Sequence, residues 1–130
     1  MNKGLILDSN IAIGLLNDDE HVVQMIRSLR KKEYEFYFSV ITFCELISGA
    51  RSDNEMQAIK SIERSRFIDV DLEIAAIAGE IRLNQKKENN RVIKAPDSLI
   101  VATAIHKKYD LFTFDKGMRF AQNYGVQFIE

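Results

Sequence analysis

Short apolar runs alternate with longer amphipathic segments along this chain, and that alternation restricts its fold more than any other feature. Residues 4–7 are apolar, brief and stopped by a polar turn, which reads as a buried strand. Residues 35–39 are aromatic-rich and strand-like. Residues 67–70 and 111–114 read the same way, and 126–129 follow Gly125 as a last strand. Between these runs the helical period takes over. Residues 11–16 form a short helix, and Asp18 or Asp19 caps a longer one to about Lys31, with Val22, Val23, Ile26, Leu29 and Arg30 at helical spacing. Ser39 or Thr42 starts a helix that stops near Gly49, and Asp53 or Asn54 caps another to about Ser65. Asp71 caps a long helix over 72–88, with Ile74, Ile77, Ala78, Ile81 and Gln85 along one face. The polar stretch 86–94 is the one long loop. Pro96 suits the first turn of a helix to about Lys108, and 116–123 is a short helix. Strands that alternate with helices imply crossover connections and a mainly parallel sheet. The expectation is a three-layer α/β domain with helices on both faces.

At 130 residues the chain is long enough for one domain with a real core. Its net charge of -1 excludes a general polyanion binder, so any nucleic-acid surface must be a local patch. The single cysteine, Cys44, excludes an internal disulfide and a cysteine zinc cluster, and it fits a reducing cytoplasm. Cys44 itself reads as a buried small hydrophobe. No signal peptide is expected, because the first apolar run stops at Asp8 and the second ends at Asn17-Asp18-Asp19. Neither approaches the length of a membrane span.

Four carboxylates fall at the joints of this pattern. Asp8 ends the first strand and Asp115 the fourth, which places both at the carboxyl edge of a parallel sheet, where open α/β sheets bind ligands. Asp97 lies in the first turn of its helix. Glu45 sits in Val40-Ile41-Thr42-Phe43-Cys44-Glu45-Leu46-Ile47, one charge among apolar neighbours. Thr42, Glu45 and Ser48 or Gly49 share a helix face, a narrow polar stripe that suits a hydrophilic cleft. Each acid also has a plain structural account. Asp8 could cap the next helix, Asp97 could complement a helix dipole, Asp115 could be a turn residue before Lys116-Gly117, and Glu45 could complete a capping box with Thr42. Acids gathered at one edge repel and resist desolvation unless a cation neutralises them, which gives the four one shared cause. Oxygen ligands without histidine or cysteine select Mg²⁺ or Mn²⁺ over zinc.

Four segments carry a family resemblance: Gly-Leu-Ile-Leu-Asp8-Ser9-Asn10, Ser39-Val-Ile-Thr42-Phe-Cys-Glu45-Leu-Ile-Ser-Gly49, Pro96-Asp97-Ser-Leu-Ile-Val-Ala102-Thr-Ala104 and Leu-Phe-Thr113-Phe-Asp115. In this order and spacing they resemble the PIN domain, and within it the VapC-type toxin ribonucleases of type II toxin–antitoxin pairs. The resemblance implies a five-stranded parallel sheet with helices on both faces and a metal-dependent ribonuclease. It maps Asp8, Glu45, Asp97 and Asp115 onto the family's acidic metal site, and Asn10 and Thr113 onto its polar supporting positions. Asp115 is the least secure of the four, since that acid varies most in the family. The aromatic that usually follows it closely is displaced, with Met118 nearer and Phe120 further on. Partners implied are RNA, a cognate antitoxin and a second copy of the chain. The Ile/Leu/Met-rich faces of helices 18–31 and 54–65 are the surfaces expected to meet the two proteins.

The chemistry implied is hydrolysis of an RNA phosphodiester by metal-activated water, leaving a 5′-phosphate and a 3′-hydroxyl. No His or Lys occupies a motif position, so the general base is an acid or the metal-bound hydroxide. Lys94, Lys116 and Arg119, close to the acids, and Arg51, just past the Glu45 helix, are the candidate phosphate contacts. Arg82, Lys86, Lys87 and Arg91 extend the basic stretch; each can equally be a solvated surface charge. His21 and His106 match no ligand spacing and read as surface or helix-end residues. Tyr34, Phe36, Tyr37 and Phe38 could form a base-stacking platform, but their strand period reads rather as core on one face and a half-exposed aromatic on the other. Three alternatives stand beside the toxin: a housekeeping RNA-processing nuclease, a module that binds RNA or a partner without cleavage, and an Asp8 phosphotransferase. The last wants an acid where Asn10 stands.

Overall fold

The computed structural model describes residues 3–129. Four strands, β1 (Lys3–Leu7), β2 (Tyr34–Ser39), β3 (Phe67–Ile68) and β4 (Asp110–Phe112), form a sheet in the order β3-β2-β1-β4 with every pair parallel. β1 is central and covered on both faces, so Leu5, Ile6 and Leu7 are all almost fully buried. An unbroken apolar run is what such a strand requires. Each side chain contributes about 1.5–3 kcal/mol on burial. In the observed register Leu7 stands opposite Phe112.

The helices divide between the two faces. α1 (Ser9–Leu16), α2 (Glu20–Lys31), α3 (Val40–Ser48) and α4 (Asp53–Lys60) bury Ile11, Val22, Ile26, Leu29, Leu46 and Ile59 against Leu5, Leu7 and Phe112. α5 (Leu72–Asn89), α6 (Ala95–Lys107) and the 3₁₀ segment Lys116–Tyr124 pack Ile81, Ile100, Val101, Met118 and Phe120 against Ile6 and Leu111. The three-layer architecture is as expected. Phe36 packs with the first cluster and Tyr37 with the second, the alternation that a strand imposes.

Several expectations need correction. The sheet has four strands rather than five among the described residues. The last segment reaches β4 only as an isolated parallel bridge, Leu111 to Phe128, made by Leu111 N–H to the Gln127 carbonyl and Ile129 N–H to the Leu111 carbonyl. β4 is three residues long and presents little backbone for a neighbour to pair with. α4 stops at Lys60, before the expected Ser65, because residues 64–66 tighten into a 3₁₀ turn that feeds β3. α5 runs on to Asn89, with Asn90 in the left-handed region, so the long loop shrinks to 90–94. The apolar faces of α2 and α4 are not free for partners: Val22, Ile26, Leu29 and Ile59 lie in the chain's own core. Cys44 is exposed, not buried. No helix among the described residues is long and apolar enough to cross a membrane.

Candidate active site

The site lies where β1 and β4 end side by side. The Asp8 amide donates to the Phe112 carbonyl at 3.0 Å, which continues the ladder by one rung and sets Asp8 beside Thr113. Asp8 is also the N-cap of α1, its Oδ1 accepting from the Ser9 amide at 2.8 Å. The other oxygen, Oδ2, accepts from the Thr113 hydroxyl at 2.7 Å. Asp8 is only 6% exposed. Burial raises its pKa, the Thr113 and Ser9 hydrogen bonds oppose that rise, and the charges of Glu45 and Asp115 add to it.

The remaining acids come from three other elements. Asp97 sits half-buried in the first turn of α6. Its pKa is raised by burial first, then by the charges of Asp8, Asp115 and Glu45, while Lys94 pulls it down. Asp97 thus feels the charge of each of the other three carboxylates. Glu45 is exposed on α3 and accepts from the Ser9 hydroxyl through Oε1. Its apolar neighbours in sequence point elsewhere, Leu46 into the core. Asp115 is exposed, caps the 3₁₀ segment and accepts from the Gly117 amide at 2.8 Å.

Asn10 and Thr113 are both hydrogen-bonded next to Asp8. Thr113 Oγ1 accepts from Asn10 Nδ2 at 3.2 Å and from the Asp115 amide at 3.0 Å while donating to Asp8. Asn10 Oδ1 accepts from the Phe114 amide at 3.3 Å. One threonine thus ties together the strand ends that carry Asp8 and Asp115. Asn10 is occupied as a strut, which leaves it unsuited to serve an Asp8 nucleophile.

Among the described residues no three acid, histidine or cysteine side chains lie close enough to hold an ion as they stand. The donor set still fits a hard divalent cation. It is all carboxylate, its two more buried members have raised pKa values, and Glu45 and Asp115 are exposed. A cation would remove the repulsion that the four now share.

The expected cations are distributed unevenly. Lys94 is the exposed N-cap residue of α6 and acts on Asp97, and Lys116 is exposed directly after Asp115. Arg51 bonds Asn17 at 2.6 Å and pairs with Glu55 at 3.3 Å, on a cavity of about 230 Å³ that Glu45 also lines. The Arg119 guanidinium lies over the Phe128 ring at 4.8 Å. Ser9 gains a role that sequence reading did not give it, and Arg91, read only as part of a basic stretch, gains a fixed position. Ser9 bridges the acids of α1 and α3, its amide on Asp8 and its hydroxyl on Glu45. Only its place beside Asp8 hinted at this, since Glu45 lies 36 residues away. Arg91 donates to the Gly117 carbonyl and stands over the Phe120 ring at 5.5 Å, which fixes it beside Asp115.

A family model for the PIN domain matches residues 5–124, a span that contains all four acids. The chain belongs to the PIN domain family. No curated protein matches it. Among solved structures this PIN domain is similar to a chain of FitAcB from Neisseria gonorrhoeae, 27% identical, covering 97% of this chain and 96% of that one with a TM-score of 0.76. A toxin–antitoxin complex from Klebsiella pneumoniae holds another similar chain, 25% identical, with 85% and 86% covered and a TM-score of 0.68. VapBC2 from Rickettsia felis, bound to a DNA fragment from its promoter, shares the fold at 22% identity, 97% coverage of both chains and a TM-score of 0.78.

Proposed function

We propose that this PIN domain is a Mg²⁺- or Mn²⁺-dependent endoribonuclease and the toxin of a toxin–antitoxin pair. The observation that carries the reading is the hydrogen-bond network that joins Asp8 to Glu45 through Ser9 and to the Asp115 backbone through Thr113, with Asp97 in the same field of charge. Such an arrangement costs stability in the folded protein and makes sense if a cation is to be bound. The likeness to a chain of a toxin–antitoxin complex supports the biological half.

Asp8, Glu45, Asp97 and Asp115 would hold the cation. When bound, it would lower the pKa of a coordinated water and offset charge on the scissile phosphate. The protein's own groups do the rest. Thr113 and the Ser9 amide fix the rotamer of Asp8, and the Ser9 hydroxyl holds Glu45 toward it. Asn10 and Thr113 lock the loop that presents Asp115. α1 and α6 both begin at this edge, and their amino-terminal dipoles favour an incoming anion. Lys94, Lys116 and Arg51 supply positive charge around the acids, and Arg119 flanks the Asp115 segment. The partners proposed are an RNA substrate, a cognate antitoxin and a second copy of the chain, in the cytoplasm.

A second reading is a PIN module that binds RNA without cutting it, favoured by the separation of the acids as they stand. The two part on one experiment. Purified protein is incubated with an RNA panel in EDTA, Mg²⁺ or Mn²⁺, beside Asp8→Asn. The nuclease reading expects cleavage only with the cation and none from the variant. Cleavage in EDTA, full activity of Asp8→Asn, or an RNA panel left intact in Mn²⁺ would each refute it.

A further inference from the structure

Phe114 stands apart from the other phenylalanines near it. It is 47% exposed, whereas Phe112 and Phe120 are buried at 1% and 7%. A lone exposed apolar residue needs no explanation. This one lies between Thr113, which holds Asp8, and Asp115. Its ring is also held in orientation. Phe112 meets it edge-on, with centroids 5.6 Å apart and planes at 83°. The His21 ring lies within 18° of parallel to it at 6.0 Å. The backbone is fixed as well, since the Phe114 amide donates to Asn10. Phe114 therefore stays nearly half exposed while its ring is held from two sides, directly before Asp115. On the far side of Asp115, Arg91 is anchored by the Gly117 carbonyl and the Phe120 ring and has no carboxylate partner among the described residues.

We propose that Phe114, with His21 stacked against it, is a stacking platform for one nucleobase of a single-stranded RNA whose neighbouring phosphate lies at the acids. This rests on the nuclease reading above and adds to it a base-binding subsite. Every base has a π-face, so the platform selects unpaired RNA over duplex without reading sequence. Arg91 supplies charge for the backbone on the other side of Asp115.

The chain contains no tryptophan, so Phe114→Trp places a single indole at the platform. Its emission is followed while a short oligoadenylate, or the same oligomer with abasic positions, is added in Ca²⁺, with RNA integrity checked on a gel. Anisotropy reports binding in parallel. The proposal expects quenching by the base-bearing oligomer and much less by the abasic one. Phe114→Leu should bind oligoadenylate about five- to tenfold more weakly than the original protein, with an unchanged melting temperature. Equal emission changes with both oligomers despite binding, or full affinity in Phe114→Leu, would overturn the platform. If the unaltered protein cuts RNA and these variants are indifferent, only the platform fails. If it neither binds nor cuts RNA, the nuclease reading fails and the platform with it.

Discussion

Asp97 has an acid's least favourable surroundings, with burial and three carboxylates raising its pKa and only Lys94 opposing. A folded-state pKa above the unfolded value means that the native state binds the proton more tightly. Its stabilising contribution is complete below the unfolded pKa, near ~4, and is lost as pH rises through the folded value. Without a cation, Asp97→Asn should therefore melt a few degrees higher than the original protein at pH ~7, a gap that closes toward pH ~4. Calorimetric scans at the two pH values check this; a lower melting temperature for the variant at neutral pH would contradict it. The same variant should lose cleavage. Thr113 makes a different demand, because its hydroxyl orients Asp8 from a buried position. Thr113→Val should weaken Mn²⁺ binding about 10- to 100-fold, and Thr113→Ser should restore most of it. Equal affinity in the valine variant would mean that Asp8 needs no such support. These roles were partly legible in the sequence, since Asp8, Asn10 and Thr113 stand in short motifs. The bridge from Ser9 to Glu45 was not, because it forms only when α1 and α3 pack together.

At the level of elements, strands and helices were read correctly wherever hydrophobic period and capping agreed. Asp19, Ser39 and Asp71 cap α2, α3 and α5 through their side chains, as their positions before apolar periods imply. What failed were lengths and faces decided by tertiary contact. The final strand was predicted from composition, yet a short β4 leaves it one bridge. The apolar faces of α2 and α4 looked available for partners but cover this chain's own sheet. Glu45 looked embedded because residues 40–47 are otherwise apolar, though on the helix it projects to solvent while Thr42 and Leu46 turn inward. β1 shows how closely an element can be held. A Cβ at Gly4 would lie 2.2 Å from the Tyr109 ring, which stacks on Tyr37 with centroids 5.2 Å apart. Gly4→Ala must displace that ring and should cost about 1–3 kcal/mol in denaturant unfolding. A neutral result would show that Tyr109 moves freely.

Seen as a whole molecule, the chain has almost no net charge. Four acids share one edge of the sheet, and basic residues stand around them: Lys94, Lys116 and Arg91. Exposed pairs such as Arg64–Asp69 add little to stability. The fold spends its organisation elsewhere, tying Asp8 to Glu45 through Ser9 and to the Asp115 backbone through Thr113, within the field that also reaches Asp97. The claim at the centre of this account is that a divalent cation completes that site. Titration calorimetry of Mn²⁺ into the metal-free protein, beside Asp8→Asn and Asp97→Asn, tests it without reference to any RNA. The account predicts saturable binding by the original protein, a melting temperature that rises with Mn²⁺ by an amount equivalent to about 2.7 kcal/mol at a hundredfold excess over Kd, and loss of both effects in the variants. No binding at all, or equal binding by all three proteins, would contradict it.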